Sequence, residues 1–322
     1  MKPRPVAVRG GQIMNRTVEV LRIILPVIVM LLIGMFCRKK NLISRAGVDT
    51  LKKVAVDIGL PAVLLHTFAS SEYTPATLAV PMIMFMICVL AWALGRLLGP
   101  RLGLNSRFIP FLTTGFEAGM LGYSLFTLLY GAGRLADFAR IDLGQVLFVF
   151  TLYKILIGMG GRDRPSAGRL LKEMILSPII PAIILGVLLG ATGLYRAMEP
   201  SGAAKVLDAC TDFVSAPVGA LILLSIGYDL VLRDIPWRET LKASGLRLAV
   251  MAVLGLGAAV LFRLLWPEQD WSRAVILMFL LPPPYVLPVF STDEDQRVYL
   301  SSVLSVSTLI TLAGFILLAV IG

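Results

Sequence analysis

The stretch MFLLPPPYVLPVFS, residues 278–291, places four prolines among 14 residues that are otherwise almost wholly apolar. Proline lacks a backbone N–H and breaks helices, while a bilayer core admits little besides intact helices and closed barrels. Broken backbone at membrane depth is tolerated only where protein or a water-filled cavity surrounds it. The stretch therefore predicts a broken span that lies inside the protein and away from lipid.

The rest of the chain has the composition of a membrane protein. Its 322 residues are 57% hydrophobic and 16% charged, with a mean hydropathy of +0.84, whereas soluble domains carry about 25% charged residues. A span needs about 20 apolar residues. Apolar windows fall at residues 20–36, 51–70, 78–98, 108–130, 141–160, 174–194, 204–230, 245–266, 272–291 and 298–321. We therefore expect an all-α integral membrane fold of ten transmembrane helices.

Basic residues orient these spans. Lys and Arg lie mainly in the loops after the odd-numbered spans, which the positive-inside rule places in the cytoplasm. Both termini then face outward, and the chain is expected to be multi-pass in the inner (plasma) membrane. The net charge of +10 has this origin, so nucleic-acid binding is not expected. Met14 offers an alternative start that would remove three basic residues ahead of the first span.

Motifs for catalysis and metal binding are absent from the sequence. It contains no Gly-x-Ser-x-Gly elbow and no P-loop. One histidine, His66, and the isolated cysteines Cys37, Cys88 and Cys210 do not have the spacing of a metal site. The chain is therefore not expected to be an enzyme, nor to carry a cofactor other than a coupling proton or sodium ion.

The two halves of the chain resemble each other. LPVIVMLLIG (25–34) is similar to IPAIILGVLLG (180–190), and VDIGLPAVLL (56–65) is similar to TDFVSAPVGALIL (211–223), both at an offset of 155 residues. Because each half holds five spans, the second copy must run in the opposite direction. Such inverted repeats are typical of secondary transporters. The predicted organisation is an N-terminal extension (1–19), a first repeat (20–160), a cytoplasmic connecting loop (161–173) and a second repeat (174–322).

The repeat makes spans four and nine counterparts, and both are interrupted. Gly115, Gly119 and Gly122 interrupt span four, FIPFLTTGFEAGMLGYSLFTLLYG (108–131), as the prolines interrupt span nine. Gly- or Pro-interrupted spans at matching places in two halves point to a transporter's binding site. We therefore predict a substrate or ion site at the crossing of these spans, formed by the three glycines with Pro283, Pro284 and Tyr285.

The stretch LPVIVMLLIGMFCRKKNLISRAGVDTLKKVAVDIGLPAVLL (25–65) resembles the start of the auxin efflux carrier family, whose bacterial members include transporters of malonate and similar organic acids. The resemblance continues through SPIIPAIILGVLLG (177–190), SAPVGALILLSIGYDL (215–230) and MFLLPPPYVLP (278–288), and so covers nearly the whole chain. It implies two inverted five-helix repeats, similar to bile acid/sodium symporters, with spans four and nine unwound where they cross.

The chain departs from the family pattern at the crossing. Where the family tends to have Asn and Pro in span four, this sequence has Glu117 and Ser124, and a family Asn in span nine corresponds to Val286. The fold inference survives these changes, but the family's substrate and coupling ion do not transfer with it.

Ionisable residues inside spans are costly and are functional candidates by default. Glu117, in the middle of span four, could take up a proton or coordinate sodium, or it could be a structural carboxylate bonded to exposed N–H groups. Asp57 and Asp212 hold equivalent repeat positions ahead of prolines and could help bind a cation, or act as caps near an interface. Lys154 could attract an anion or extend to the headgroups.

These observations predict a secondary transporter of a small organic anion, a carboxylate, working by alternating access with proton or sodium coupling. Spans one, two, six and seven would form a unit that rocks against the rest. The alternatives are an uncoupled uniporter or channel-like permease of the same fold, and a transport-inactive membrane sensor or assembly partner. The expected partners are the anion and membrane lipid, with a homodimer left open.

Overall fold

The computed structural model describes residues 7–71, 73, 75–159, 168, 172, 176–230, 235–291 and 293–321 of the chain. Within these residues the chain forms helices joined by short turns, with no β-strand. This agrees with the all-α expectation. Almost all of the expected connecting loop, 161–173, lies outside the described residues.

The first half begins with a long helix that extends well ahead of the first apolar window. Its described α-helices are α1 (Ala7–Lys39), α2 (Arg45–Val54), α3 (Leu60–Ala69), α4 (Pro75–Leu98), α5 (Ile109–Leu112), α6 (Tyr123–Tyr130), α7 (Leu135–Phe148) and α8 (Lys154–Met159). Three π-helical segments accompany them, at Ala55–Gly59 between α2 and α3, Ala118–Gly122 before α6, and Val149–Tyr153 between α7 and α8. Such π turns are frequent at functional sites.

The second half repeats this alternation of long and interrupted helices. Its described α-helices are α9 (Ile179–Ala191), α10 (Leu194–Ala197), α11 (Ala203–Ser215), α12 (Val218–Asp229), α13 (Trp237–Leu265), α14 (Ser272–Leu280) and α15 (Glu294–Ile321). A 3₁₀ turn at Leu287–Phe290 follows α14 after six non-helical residues, 281–286. The prolines therefore stop the helix where the sequence predicted.

Six helical stretches within the described residues are long and apolar enough to cross a bilayer: Val20–Lys39, Ala79–Leu102, Ala132–Gly158, Ala203–Asp229, Trp237–Leu265 and Asp295–Ile321. Shorter apolar helices lie at Ala118–Tyr130 and Ile179–Ala191. The expected membrane-protein class agrees with this. The count of ten membrane helices and the inverted repeat stay predictions, although each of the ten apolar windows contains helix.

The helices pack in two groups. In the first, α1 packs on α12, while α9 and α11 pack on α3. In the second, α4 packs on α7, and α13 packs on α4, α14 and α15. The first group contains the helices of windows one, two, six and seven, as expected from the sequence. The π-helical segments Ala55–Gly59 and Ala118–Gly122 contact each other where the two groups meet.

The outer surface of α13 shows how the bundle faces its surroundings. Val253, Leu256, Val260 and Leu264 recur every three or four residues along this helix, and each is more than half exposed. Residues at this spacing share one helix face. A continuous exposed apolar face of this kind suits contact with lipid chains and would be unfavourable in water.

Candidate functional site

The two broken segments lie directly against each other. The backbone N–H of Glu117 donates to the carbonyl of Pro282 (2.9 Å), and the N–H of Tyr285 donates to the Glu117 carboxylate (Oε2, 2.6 Å). Each break leaves backbone groups without helical partners. The breaks satisfy part of this need through each other.

Glu117 lies at the start of the helical part that follows the first break. Its side chain is 9% exposed, and Oε1 accepts a hydrogen bond from Met120 N (3.3 Å) at the beginning of the π-helical segment Ala118–Gly122. Tyr285, which supplies the other N–H, lies two residues before the 3₁₀ turn Leu287–Phe290. The carboxylate therefore accepts from N–H groups of both broken spans, and on the span-four side it lies at the start of a helical segment, where the helix dipole favours negative charge.

Arg247 of α13 occupies the complementary position. Its side chain is 4% exposed and donates to the carbonyls of Leu112 (2.9 Å), Gly115 (2.8 Å) and Leu281 (2.8 Å). The carbonyls of Leu112 and Leu281 lie at the C-terminal ends of α5 and α14, where the helix dipole favours positive charge, and Gly115 lies three residues after α5. The guanidinium carbon also lies 5.7 Å from the centre of the Phe116 ring. The crossing thus holds a cation on its carbonyl ends and an anion on its N–H ends.

Two glycines allow the breaks to approach so closely. Gly115 has φ +67°, in the left-handed region, and a Cβ there would lie 3.0 Å from Cγ of Pro284. A Cβ on Gly122 would lie 2.7 Å from side-chain atoms of Leu281 and of Phe138. Since both glycines of span four face residues of the proline break, the two interruptions are fitted to each other.

Hydroxyl groups of α15 support the proline break from behind. Thr311 Oγ1 donates to the carbonyl of Leu280 (2.6 Å), the last residue of α14. The hydroxyl of Tyr285 and that of Thr308 are 2.7 Å apart and share a hydrogen bond. The first of these contacts satisfies a backbone carbonyl that the break would otherwise leave unpaired, and the second holds the side chain of Tyr285 against α15.

A second buried carboxylate belongs to a network on α7. Asp142 is 3% exposed and accepts hydrogen bonds from Tyr123 Oη (2.9 Å) and Gln145 Nε2 (2.8 Å). Gln145 Oε1 in turn accepts from the backbone N–H of Phe116 (3.4 Å), beside Glu117. The network connects the break in span four to Tyr123, which lines a cavity between the helices.

A cavity of about 670 Å³ lies between the two helix groups. It runs from Leu60 and Tyr123, next to the π-helical segments, to Ser70 at the end of α3 and to the turn Ala132–Arg134. Among the described residues that line it, the ionisable ones besides Tyr123 are His66 and Asp212, and none is Lys or Arg. His66 Nε2 lies 3.3 Å from an oxygen of Asp208. The volume suits a small organic molecule.

The structure brings most of the predicted site residues together at the crossing. The residues that contact one another there are Gly115, Glu117, Gly122, Pro284 and Tyr285, with Pro283 buried in the same break. A Cβ on Gly119 would meet Leu60 of α3 at 3.2 Å, so this glycine faces the other helix group.

The remaining predicted residues lie away from the crossing. Asp212 is exposed and lines the cavity. Asp57 is half-buried in the π-helical segment Ala55–Gly59 and is not among the described cavity-lining residues. Lys154 is half-buried and begins α8, directly after the third π-helical segment. The two aspartates, which were predicted to hold equivalent repeat positions, therefore lie in different surroundings.

Sequence reasoning missed Arg247 and Asp142 because both lie near the start of their apolar windows, where charged residues normally extend to the interface. The helices begin well before those windows, at Trp237 for α13 and Leu135 for α7. Both charges are thus several residues inside helices and are buried. The available signal was the polar sequence ahead of each window that could continue the helix.

A family model described as "membrane transport protein" matches residues 19–318, and so covers the two helix groups and the crossing. No match was found among curated proteins.

Proposed function

Since the chain belongs to the membrane transport protein family, also described as the auxin efflux carrier family, we propose that it is a secondary transporter of a small organic anion, a carboxylate. The family is one of transporters and not of enzymes, and the chain is a multi-pass membrane protein. The proposal includes alternating access, coupling to a proton or sodium gradient, and location in the inner (plasma) membrane.

One observation carries the anion assignment. N–H groups from both broken spans, those of Met120 and Tyr285, converge on a carboxylate, which is that of Glu117. Hydrogen bonds from N–H groups at helix N-termini are the usual means of binding an anion without a cationic side chain. The crossing therefore has the chemistry that recognises a carboxylate, and a transported carboxylate would use the same N–H groups.

The position of Glu117 gives this proposal a coupling mechanism. Glu117 already accepts hydrogen bonds from these N–H groups. A substrate carboxylate and an ionised Glu117 compete for them, since like charges disfavour each other at one site. Protonation of Glu117 removes its charge and weakens the hydrogen bonds that it accepts from the N–H groups of Met120 and Tyr285. The proton and the anion would then be carried together.

The cavity and the packing support alternating access. The cavity of about 670 Å³ separates the two helix groups and ends close to the crossing. Relative motion of two packed groups around a central site is the usual basis of alternating access in secondary transporters. Motion of the group that holds Asp212 against the group that holds α7, whose Leu135 also lines the cavity, would close this cavity and open one on the opposite side of the membrane.

Loop contacts support the ten-span topology. Arg45 and Lys52, near the loop after span one, both bond to Asp229, near the loop after span seven. Lys242, after that same loop, donates to the carbonyl of Leu102 in the loop after span three (3.2 Å). Arg134 likewise bonds to the carbonyl of Asp270 (3.0 Å), and these two lie in the loops after spans four and eight. Loops that follow odd-numbered spans thus contact one another, and so do loops that follow even-numbered spans. This is expected if each of the ten spans crosses the membrane, because the two sets of loops then lie on opposite sides.

A second candidate substrate class rests on the lining of the cavity. Among its described lining residues Asp212 is acidic and none is Lys or Arg, which favours a neutral or cationic solute along this part of the path. In that case Glu117 stays bound to its N–H groups throughout transport. Uptake measurements with carboxylates and with amines distinguish the two candidate substrate classes.

The test is uptake of labelled mono- and dicarboxylates and of small amines into proteoliposomes, with proton and sodium gradients varied separately. We expect carboxylate uptake driven by an ion gradient, and loss of that dependence in Glu117→Gln. Glu199→Gln, which changes an exposed glutamate, is the matched control and should behave like wild type. Uptake of amines alone rejects the anion assignment. Unchanged ion dependence in Glu117→Gln rejects the coupling role.

A further inference from the structure

The breaks in spans four and nine create a place for a cation as well as for an anion. Backbone carbonyls that lose their helical partners are strong acceptors that need a partner when buried, and in broken transporter helices such carbonyls commonly coordinate sodium. Here the carbonyls of Leu112, Gly115 and Leu281 come together from both spans. We refer to these three oxygens as the carbonyl seat.

Arg247 fills this seat. Its two terminal nitrogens donate to all three oxygens at 2.8–2.9 Å, and its side chain is 4% exposed. Within the described residues no ion pair joins Arg247 to a carboxylate, so the backbone oxygens are its main partners. We propose that the Arg247 guanidinium is a resident cation that takes the place of a coupling sodium ion at the crossing, so that transport does not depend on sodium.

Neighbouring groups strengthen the inference. The carbonyl of Leu280, beside the seat, accepts from Thr311 Oγ1 at 2.6 Å, so it is also engaged. Glu117 binds N–H groups on the other side of the crossing and is therefore not oriented toward the seat as a sodium ligand. A sodium ion would need several oxygens pointing at it and would be repelled by the fixed guanidinium.

The planar guanidinium also explains why this residue is arginine. It forms hydrogen bonds to Leu112 and Gly115 of one span and to Leu281 of the other at the same time. An ammonium is a compact point charge without this fork geometry, so lysine is not an equivalent substitute. Arg247 therefore acts as a positioning residue that joins the two breaks.

The inference rests on the proposed transport function for its physiological meaning, but the seat can be tested without any substrate. Purified Arg247→Ala should melt at a lower temperature than wild type, by about 5 °C or more. Added methylguanidinium, which fits the vacated seat, should restore part of that loss. Arg263→Ala, an exposed arginine on the same helix, should neither lose stability nor respond to methylguanidinium. Arg247→Lys should remain less stable than wild type.

Wild-type protein gives a second test that does not depend on any variant folding. Exchanging sodium for choline at constant ionic strength and pH should leave its melting temperature and its solute uptake unchanged. Stabilisation by sodium specifically, or loss of uptake without it, overturns the proposal. So does a stable Arg247→Ala that ignores methylguanidinium. If methylguanidinium restores Arg247→Ala but no carboxylate is transported, the resident cation stands and the proposed function falls.

Discussion

At the scale of single residues, the crossing is defined by buried charges whose partners are backbone groups. Glu117 accepts from two N–H groups and Arg247 donates to three carbonyls. A buried charge is strongly unfavourable unless hydrogen bonds replace its lost hydration. The helix breaks expose the backbone groups that do this, so the breaks and the charges stabilise each other.

The hydroxyl of Tyr123 offers a residue-scale test of the network around Asp142. Tyr123→Phe removes a hydrogen bond to a buried carboxylate and should reduce the free energy of unfolding by about 1–3 kcal/mol. Tyr153→Phe is the matched control, because the Tyr153 hydroxyl is equally buried but has no hydrogen-bond partner within the described structure. Removing it should be neutral or stabilising.

Thermal unfolding of the two purified variants in the same detergent measures this difference. If Tyr153→Phe costs as much as Tyr123→Phe, the loss comes from the packing of the rings and the hydrogen bond to Asp142 adds nothing to stability.

At the scale of elements, the two breaks are achieved by different means. The span-nine break is set by prolines, which cannot continue a helix. The span-four break depends on Gly115, whose φ of +67° is unfavourable for other residues. The glycine break could rearrange more readily than the proline break, since proline fixes its own φ.

Replacement of Gly115 tests how closely the two breaks must fit. Gly115→Ala adds left-handed strain of roughly 1–2 kcal/mol together with a contact 3.0 Å from Pro284. Gly103→Ala adds the same kind of strain, at φ +71°, with no atom within 4 Å of the new Cβ. Gly115→Ala should therefore be the more destabilised of the two in thermal melting, and should also lose transport.

Equal melting temperatures for the two alanine variants would mean that Pro284 moves aside at no cost. In that case the close fit between the breaks does not contribute to the stability of the fold.

The helix boundaries show what element-scale prediction missed. Hydropathy places α13 and α7 correctly, but the helices begin at Trp237 and Leu135, before the apolar windows. Helix formation follows from backbone hydrogen bonds and packing, which polar residues also satisfy. Hydropathy records only the part of the helix that suits lipid. For this reason the buried positions of Arg247 and Asp142 could not be foreseen from the windows.

At the scale of the whole molecule, the cavity lies between the two helix groups and is lined from both. Thr127 of α6 lines the cavity and is exposed within it. The cavity extends toward Ser70 and the turn Ala132–Arg134, at the loops after spans two and four. The orientation expected from the basic loops places this side outside the cell.

Thiol labelling tests that orientation and the reach of the cavity. In a background with exposed Cys210 replaced by Ser, Thr127→Cys should react with a membrane-impermeant maleimide added outside intact cells. Ser302→Cys, at a fully buried position, should not react. A transported carboxylate should slow the reaction of Thr127→Cys by occupying the cavity.

Reaction only from the cytoplasmic side would reverse the assigned orientation. Equal reaction at both positions would mean that the cavity does not control access.

The sequence by itself determined the membrane class, the family, and the two interruptions that meet in the fold, because hydropathy, proline and glycine act through local backbone chemistry. It also singled out Glu117, since a carboxylate in the middle of a span is conspicuous. Only the tertiary structure decided what the carboxylate and the freed carbonyls bind. Arg247 lies more than a hundred residues from Leu112 and Gly115 in the chain. It reaches them because α13 packs beside both breaks. Contacts between residues this far apart in the chain cannot be inferred from the sequence around either residue.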